Sequence, residues 1–330
     1  MYLVTGGAGF IGSNIAAALA ERGEDVVICD WLGTEEKWRN LSRVRVHEIV
    51  FPEDLRSWLR GNASRITAIV HMGAVSSTTE ADADRIVRNN VQLSFALWEL
   101  ACERRLPLIY ASSAATYGAG EQGFDDDDAP EALAALRPLN AYGWSKHVID
   151  RRFVADVNAN RTRPPQWAGL KLFNVYGPNE AHKGDMRSVV HKIYPNIANG
   201  EEIDLFKSHD PRYMDGGQLR DFVYVKDCVR VVLWLLENPR VCGLLNVGTG
   251  KARSFRDLAL AVGSACGRKV TIRYIDMPPA LRARYQYFTE ANMAKLRELG
   301  YPHAFTGLED GVRDYVVNHL QADSSAGPTM

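Results

Sequence analysis

The sequence has no long hydrophobic run and no excess of charge of either sign. No apolar stretch reaches the roughly 18 residues that a membrane-spanning helix needs, and no basic leader or cleavage site opens the chain. The 39 basic and 40 acidic residues leave a net charge of −1 and form no basic stripe. These absences predict a protein that binds neither nucleic acid nor a membrane surface.

Cysteine is also scarce, and it never occurs as a Cys-x-x-Cys pair. The five cysteines lie mostly in apolar runs, where a thiol behaves as a small core residue, so we expect reduced thiols in the cytoplasm. The acidic run Asp125 to Asp128 is most simply a solvated loop, and we predict no metal site. The 330 residues are 46% apolar, enough for a large core in one or two joined domains.

The N-terminus carries the strongest motif. A buried strand from Tyr2 passes into Gly6, Gly9 and Gly12, which allow a tight turn, a close backbone approach and close packing of a helix at about residues 13–22. A second strand then ends at Asp30, whose carboxylate can accept a hydrogen bond from a ribose hydroxyl. Strand, glycines, helix, strand and acid in this order predict dinucleotide binding.

Strand and helix patterns alternate through the first half of the chain. They predict an α/β fold, a Rossmann-like doubly wound parallel sheet with a smaller C-terminal substrate-binding lobe. We expect a cofactor domain at residues 1–170 with returns near 220–248, the lobe at 171–219 and 249–320, and a disordered tail at 321–330.

Three residues have the chemistry of a proton-transfer site. Tyr142 and Lys146 are four residues apart and share one face of a predicted helix that begins near Asn140. A nearby ammonium would lower the pKa of the phenol, which is about 10 in water. Ser113 follows a buried strand, so its hydroxyl could hydrogen-bond the reacting oxygen.

These motifs resemble the extended short-chain dehydrogenases that act on nucleotide sugars. More specific stretches resemble the members that invert the exocyclic C6 of an ADP-linked heptose, and the likeness covers Met1 to about Leu320. The stretches are Ser76-Ser77-Thr78-Thr79-Glu80, Tyr110 to Gly118, Phe173 to Pro178, His182-Lys183-Gly184 and Arg284-Tyr285-Gln286.

The resemblance implies oxidation at C6 with bound NADP, with NAD as the alternative cofactor, and return of hydride to the opposite face of the ketone. The reaction would supply heptose to the lipopolysaccharide core. It assigns acid/base roles to Tyr142 and Lys183, supported by Ser113 and Lys146. It also implies a homo-oligomer, a pentamer in this family. The predicted cofactor site comprises Gly6, Gly9, Phe10, Ile11, Gly12, Asp30, Trp31, Lys37, Met72, Gly73, Ala74, Val75, Ser76, Asn89, Lys146, Val175 and Lys183. The predicted substrate site comprises Ser113, Asn174, Asp185, Lys192, Phe206, Arg220 and Tyr285.

Three departures from the family pattern and two competing functions stay open. The loop before Arg220 is longer than usual in the family. Trp31 stands where relatives often have Asn beside the ribose, and Asp185 stands where a Ser contacts substrate. Lys37 and Arg39 favour a 2′-phosphate on the adenosine ribose, whereas the carboxylate of Asp30 repels one. Ala114 and Ala115 replace the Asp-Glu pair of a nucleotide-sugar dehydratase, which argues against water elimination. A UDP-hexose 4-epimerase and a non-catalytic NAD(P)-binding sensor remain the competing functions.

Overall fold

The computed structural model describes residues 1–34, 36–282 and 285–322 of the chain. Within them the strands are β1 (Tyr2–Thr5), β2 (Val26–Cys29), β3 (Glu48–Val50), β4 (Ala68–His71), β5 (Leu108–Ser113), β6 (Trp167–Leu172), β7 (Asn174–Tyr176), β8 (Ile203–Phe206), β9 (Leu219–Tyr224), β10 (Gly243–Val247), β11 (Ala252–Ser254) and β12 (Ile272–Ile275).

The helices alternate with the strands through most of the chain. They are α1 (Phe10–Glu21), α2 (Leu55–Asn62), α3 (Ala83–Ile86), α4 (Leu93–Arg104), α5 (Pro130–Ala135), α6 (Ala141–Asn158), α7 (Val189–Ala198), α8 (Val225–Glu237), α9 (Phe255–Cys266), α10 (Pro279–Arg282), α11 (Ala294–Glu298) and α12 (Leu308–Tyr315). In the described part of the chain, none of them is long and apolar enough to cross a membrane.

A seven-stranded parallel sheet forms the centre of the protein. Its order is β10-β6-β5-β4-β1-β2-β3, so the direction of winding reverses between β1 and β4. Apolar strands such as Ala68–His71 are buried along their whole length, because helices cover both faces of the sheet. The predicted doubly wound α/β fold is therefore confirmed, and the switch point places a crevice at the carboxyl ends of β1 and β4.

A second lobe is built from later parts of the chain. It contains a three-stranded sheet, β11-β9-β7, and a parallel pair, β12-β8. Helices α7, α9 and α12 pack around its own buried core, which includes Tyr176, Val262 and Val312. Between two segments of this lobe the chain returns to the central sheet, where α8 packs on α1 and β10 becomes an edge strand.

The acidic run is not a solvated loop throughout, and that prediction is wrong for Asp126. The Asp126 side chain is 5% exposed and accepts a 2.7 Å hydrogen bond from the Asn246 amide on β10. Burial raises the pKa of Asp126, and the nearby Lys295 opposes this shift. Lys295 also donates to Asp128 at 3.1 Å, so the run fastens this loop to β10 and to α11. No group of residues in the described part of the chain could hold a metal ion.

Two other expectations about the chain need adjustment. The cysteines are all free thiols, but only Cys29 and Cys228 are fully buried. The first two residues of the predicted tail, Gln321 and Ala322, are helical. Residues 323–330 lie outside the described structure, and so do Glu35 and Arg284.

Candidate active site

One large cavity of about 1480 Å³ lies at the carboxyl ends of the central strands and reaches the second lobe. It brings together every residue of the predicted cofactor site and all four predicted catalytic residues. Of the predicted substrate residues, Ser113, Asn174, Arg220 and Tyr285 also line it. The other three predicted substrate residues do not line this cavity in the described structure. Asp185 and Lys192 are exposed. The Phe206 ring packs against Tyr285, with 6.5 Å between ring centroids.

The glycine turn leaves no room for side chains at two of its positions. Gly6 has φ +65°, and a Cβ there would lie 2.6 Å from the Gly73 Cα atom. A Cβ on Gly12 would overlap the Gly6 carbonyl oxygen. Helix α1 begins at Phe10, three residues earlier than the sequence pattern predicts, because Gly9 occupies the N-cap position. The turn and the first helical amides therefore border the cavity with backbone alone, as pyrophosphate binding requires.

Asp30 is held at the end of β2 by two donors. The Ala8 amide donates to one carboxylate oxygen at 2.9 Å, and the Lys37 ammonium donates to the other at 2.6 Å. Trp31 is 47% exposed, and its indole N–H donates to Glu53. Arg39, the other cation considered for a 2′-phosphate, pairs with Glu36 at the surface. Lys37 is thus the cation that stands beside the predicted ribose position.

The segment Met72–Ser76 is fixed by Asn90, whose role the sequence did not assign. The Asn90 side chain is fully buried, accepts from the Val75 amide at 2.8 Å and donates to the Val75 carbonyl at 3.1 Å. It also donates to the Ser145 hydroxyl on α6 at 3.0 Å. A π-helical segment, Val87–Gln92, joins α3 to α4 and presents Asn89 and Asn90. One amide therefore ties the cofactor loop to the helix that carries Tyr142 and Lys146.

Helix α6 places Tyr142 and Lys146 on its inner face, next to Ser113 at the end of β5. The Asn140 side chain caps this helix by accepting from the Gly143 amide at 2.8 Å. Burial raises the pKa of Tyr142, and a hydrogen bond with Ser113 opposes that shift. Burial lowers the pKa of Lys146 to about 8, and Asp150 opposes this shift. The Ser113 hydrogen bond is the interaction that lowers the pKa of Tyr142, and the effect of the Lys146 charge on the phenol stays a prediction.

Lys183 lies on a 3₁₀ segment, Ala181–Met186, that follows β7. Its ammonium nitrogen is 5.1 Å from the centroid of the Phe10 ring, so it faces the glycine turn. Burial lowers the pKa of Lys183, the positive charge of Lys192 adds to this, and Glu180 opposes it. The neighbouring cation that contributes to this shift is Lys192.

Arg220 on β9 is a buried cation at the part of the cavity where the substrate is predicted to bind. The residue is 7% exposed, and its guanidinium lies 5.2 Å from the Tyr285 ring centroid and 5.7 Å from that of Phe255. One of its N–H groups donates to the Leu219 carbonyl, and burial lowers its pKa. A planar, charged donor between aromatic faces at a cavity wall suits a phosphate oxygen. Asn174, on the neighbouring β7, stands at the same end of the cavity.

Fold and site together define an NAD(P)-dependent enzyme of nucleotide-sugar metabolism. Residues 2–248 match the NAD dependent epimerase/dehydratase family, and the chain belongs to it. The resemblance seen in the sequence is thus confirmed.

Individual relatives narrow the similarity further. The ADP-L-glycero-D-manno-heptose-6-epimerase of Nitratidesulfovibrio vulgaris (strain DP4) is 52% identical over 98% of both chains, and that of Fusobacterium nucleatum is 46% identical over 98% of this chain and 99% of its own. The crystal structure of the Helicobacter pylori enzyme of the same name is 30% identical, covers 97% of this chain and 96% of its own, and has a TM-score of 0.77. A UDP-glucose 4-epimerase from Thermus thermophilus, solved with NAD, has a TM-score of 0.75 at 26% identity and covers 99% of both chains.

Proposed function

We propose that this chain interconverts ADP-D-glycero- and ADP-L-glycero-D-manno-heptose by oxidising C6 and returning hydride to the opposite face of the ketone. The observation that carries the proposal is the 52% identity, over 98% of both chains, to a relative named for this epimerisation. By the same similarity the reaction takes place in the cytoplasm and supplies heptose for the lipopolysaccharide core.

A nicotinamide dinucleotide suits the residues of the cavity. Gly6 and Gly12 leave only backbone beside the pyrophosphate position, and Asp30 and Lys37 stand where the adenosine ribose would lie. Such a cofactor supplies the acceptor that takes the C6 hydride and gives it back. We propose NADP as the preferred form, because Lys37 supplies a cation and its ion pair reduces the repulsion from Asp30.

Tyr142 is the first acid/base in this proposal. It takes the proton of the C6 hydroxyl while Ser113 holds the same oxygen by a hydrogen bond. Tyr142 is partly buried, so its anion needs local stabilisation, and the Ser113 hydrogen bond contributes to this. Lys146 is 1% exposed and supplies a cation one helical turn away.

A second acid/base is needed because C6 lies outside the sugar ring. Rotation about the C5–C6 bond exposes the other face of the ketone and carries its oxygen to a new position, out of reach of Tyr142. Lys183 also lines the cavity, against Phe10, and burial lowers its pKa, which favours a role in proton transfer. The competing role for Lys183 is a contact to the ADP phosphates.

The test is conversion of either heptose by pure protein without added cofactor. We expect proton NMR to show each ADP-heptose approaching the same mixture of two C6 epimers, while UDP-glucose is unchanged. Conversion of UDP-glucose without conversion of a heptose would overturn the proposal in favour of a 4-epimerase. Inertness towards all three substrates would indicate a nucleotide-binding sensor. We also propose a homo-pentamer from the family resemblance, to be checked by light scattering on the same preparation.

A further inference from the structure

A buried ion pair joins the catalytic helix α6 to strand β6. Asp150 on α6 and Lys171 on β6 both have fully buried side chains, and the Lys171 nitrogen lies 3.3 Å from an Asp150 oxygen. The same nitrogen donates to the Thr116 hydroxyl at 2.7 Å and sits 4.6 Å from the Tyr117 ring centroid. Burying two charges is costly unless both are well hydrogen-bonded, so the pair requires an explanation.

The remaining partners of Asp150 come from β5. The Tyr110 hydroxyl donates to one carboxylate oxygen at 3.0 Å, and the Ser112 hydroxyl donates to the other at 2.6 Å. Ser112 immediately precedes Ser113 at the mouth of the cavity. The carboxylate therefore fastens α6 to the strand that ends in the catalytic hydroxyl.

Asp150 also lies on the same face of α6 as the acid/base pair. Tyr142, Lys146 and Asp150 are spaced four residues apart, so each is one turn from the next. The negative charge of Asp150 opposes the effect of burial on the pKa of Lys146 and adds to the effect of burial on the pKa of Tyr142. Among the described residues, Asp150 is the one carboxylate that raises the pKa of Lys146.

We propose that Asp150 is the positioning residue of the catalytic set: it holds Tyr142 and Lys146 in register with Ser113 and keeps Lys146 a cation. The inference rests on the proposed function, because it assumes that Lys146 supports acid/base chemistry. Asp150 touches neither the cavity nor the substrate position in the described structure and acts through Lys146.

Other titratable groups face these two residues from neighbouring elements. His71, on β4, lies near Lys146, but burial lowers its pKa to about 3, so it stays neutral. Tyr110 and Tyr117 face Asp150 with pKa values raised well above 10, so they are neutral too. His147 and Lys171 complete the surroundings of Asp150. The pKa of His147 is lowered to about 4, and burial lowers the pKa of Lys171 while the charge of Asp150 opposes that shift.

The first experiment follows Lys146 without any sugar. Protein carrying lysine labelled with ¹³C at Cε is titrated by NMR, and the Lys146 signal is assigned by its loss in Lys146→Met. We expect the Lys146 midpoint to fall by about one pH unit in Asp150→Asn, because a charge one turn away is removed. The matched control is Asp156→Asn, which removes another buried carboxylate of α6, paired with Arg152 and Arg161, and leaves that midpoint unchanged.

The second experiment measures the pH profile of turnover. We expect Asp150→Asn to lie within about threefold of wild type at pH 6 and to lose about fivefold more at pH 8, with KM unchanged, since the cationic fraction of Lys146 falls. A purely structural role predicts the same loss at both pH values, and that result would overturn the inference. If Asp150→Asn fails to fold, Asp150→Asn/Lys171→Met removes both charges of the pair and must still lower the Lys146 midpoint, because Asp150 is the member of the pair that raises the pKa of Lys146.

The two proposals can fail separately. An active wild-type enzyme whose Lys146 midpoint is unmoved by Asp150→Asn refutes the positioning role alone. A protein that inverts no heptose but shows the midpoint shift refutes the proposed function alone.

Discussion

Lys37 donates a 2.6 Å hydrogen bond to Asp30 at the rim of the cavity. The pair sits where a dinucleotide presents its adenosine ribose, and it combines two opposite preferences. The carboxylate can bind a ribose diol, as in NAD, whereas the ammonium can bind a 2′-phosphate, as in NADP. Trp31 lies between them in sequence but is turned outwards, towards Glu53.

This arrangement predicts that Lys37 decides the cofactor. We expect the wild-type protein to co-purify mainly with NADP, and Lys37→Met to lose roughly tenfold or more of NADP relative to NAD, since a hydrogen bond to a charged group contributes about 1.5–3 kcal/mol. Mass spectrometry of the denatured protein gives the ratio. Arg39→Met is the control, because Arg39 is already paired with Glu36. An unchanged ratio in Lys37→Met would remove this lysine from the cofactor site.

Removing the phenolic hydroxyl of Tyr142 tests the first acid/base. Tyr142→Phe keeps the packing of the ring, so we expect kcat to fall about 10²- to 10⁴-fold while the bound nucleotide content stays the same. Tyr301→Phe, at another buried tyrosine that packs on Trp234 outside the cavity, should leave kcat within about twofold. A loss below tenfold in Tyr142→Phe would contradict the assignment.

Lys183→Met separates the second acid/base from a phosphate contact. We expect inversion at C6 to stop while substrate binding, measured by calorimetry, changes less than about threefold. A phosphate-binding lysine would show the opposite pattern, with weaker binding and nearly normal kcat. Lys226→Met, which breaks a surface pair with Asp314, is the matched control and should change neither quantity.

The buried His71 predicts an acid-sensitive fold. Its ring nitrogens contact the Thr5 and Ser94 hydroxyls, and burial lowers its pKa from 6.5 to about 3. Between these pH values the unfolded chain binds a proton that the folded chain does not. The contribution to stability is therefore complete above pH 6.5 and falls by about 1.4 kcal/mol per pH unit below it. Urea unfolding should show a shallower loss of stability between pH 6.5 and 5 in His71→Gln, whereas the exposed His303→Gln should match wild type. Identical slopes in His71→Gln and wild type would refute this linkage.

Local patterns in the sequence were enough for the fold, and the family resemblance supplied most of the residues of the cavity wall. Apolar strands, the spacing of Gly6 and Gly12, and the four-residue spacing of Tyr142 and Lys146 depend only on neighbours in the chain. These patterns predicted the doubly wound sheet. The structure places the expected cofactor and catalytic residues in one cavity.

The sequence could not show interactions between distant segments. Asp126 is buried because the Asn246 amide, 120 residues later, satisfies its carboxylate. Asp150 is surrounded by side chains of β5 and β6. The one sequence feature that could have indicated its buried ion pair is Lys171, a lysine within an otherwise apolar strand.

The fate of the hydrogen at C6 tests the central claim most directly. Pure protein would be incubated in ordinary water with an ADP-heptose carrying deuterium at C6, and both epimers would be analysed by NMR and mass spectrometry. Oxidation at C6 and return of the same hydride predict that the inverted product keeps its deuterium at C6. Loss of the deuterium to water, or inversion at a ring carbon, would contradict this account.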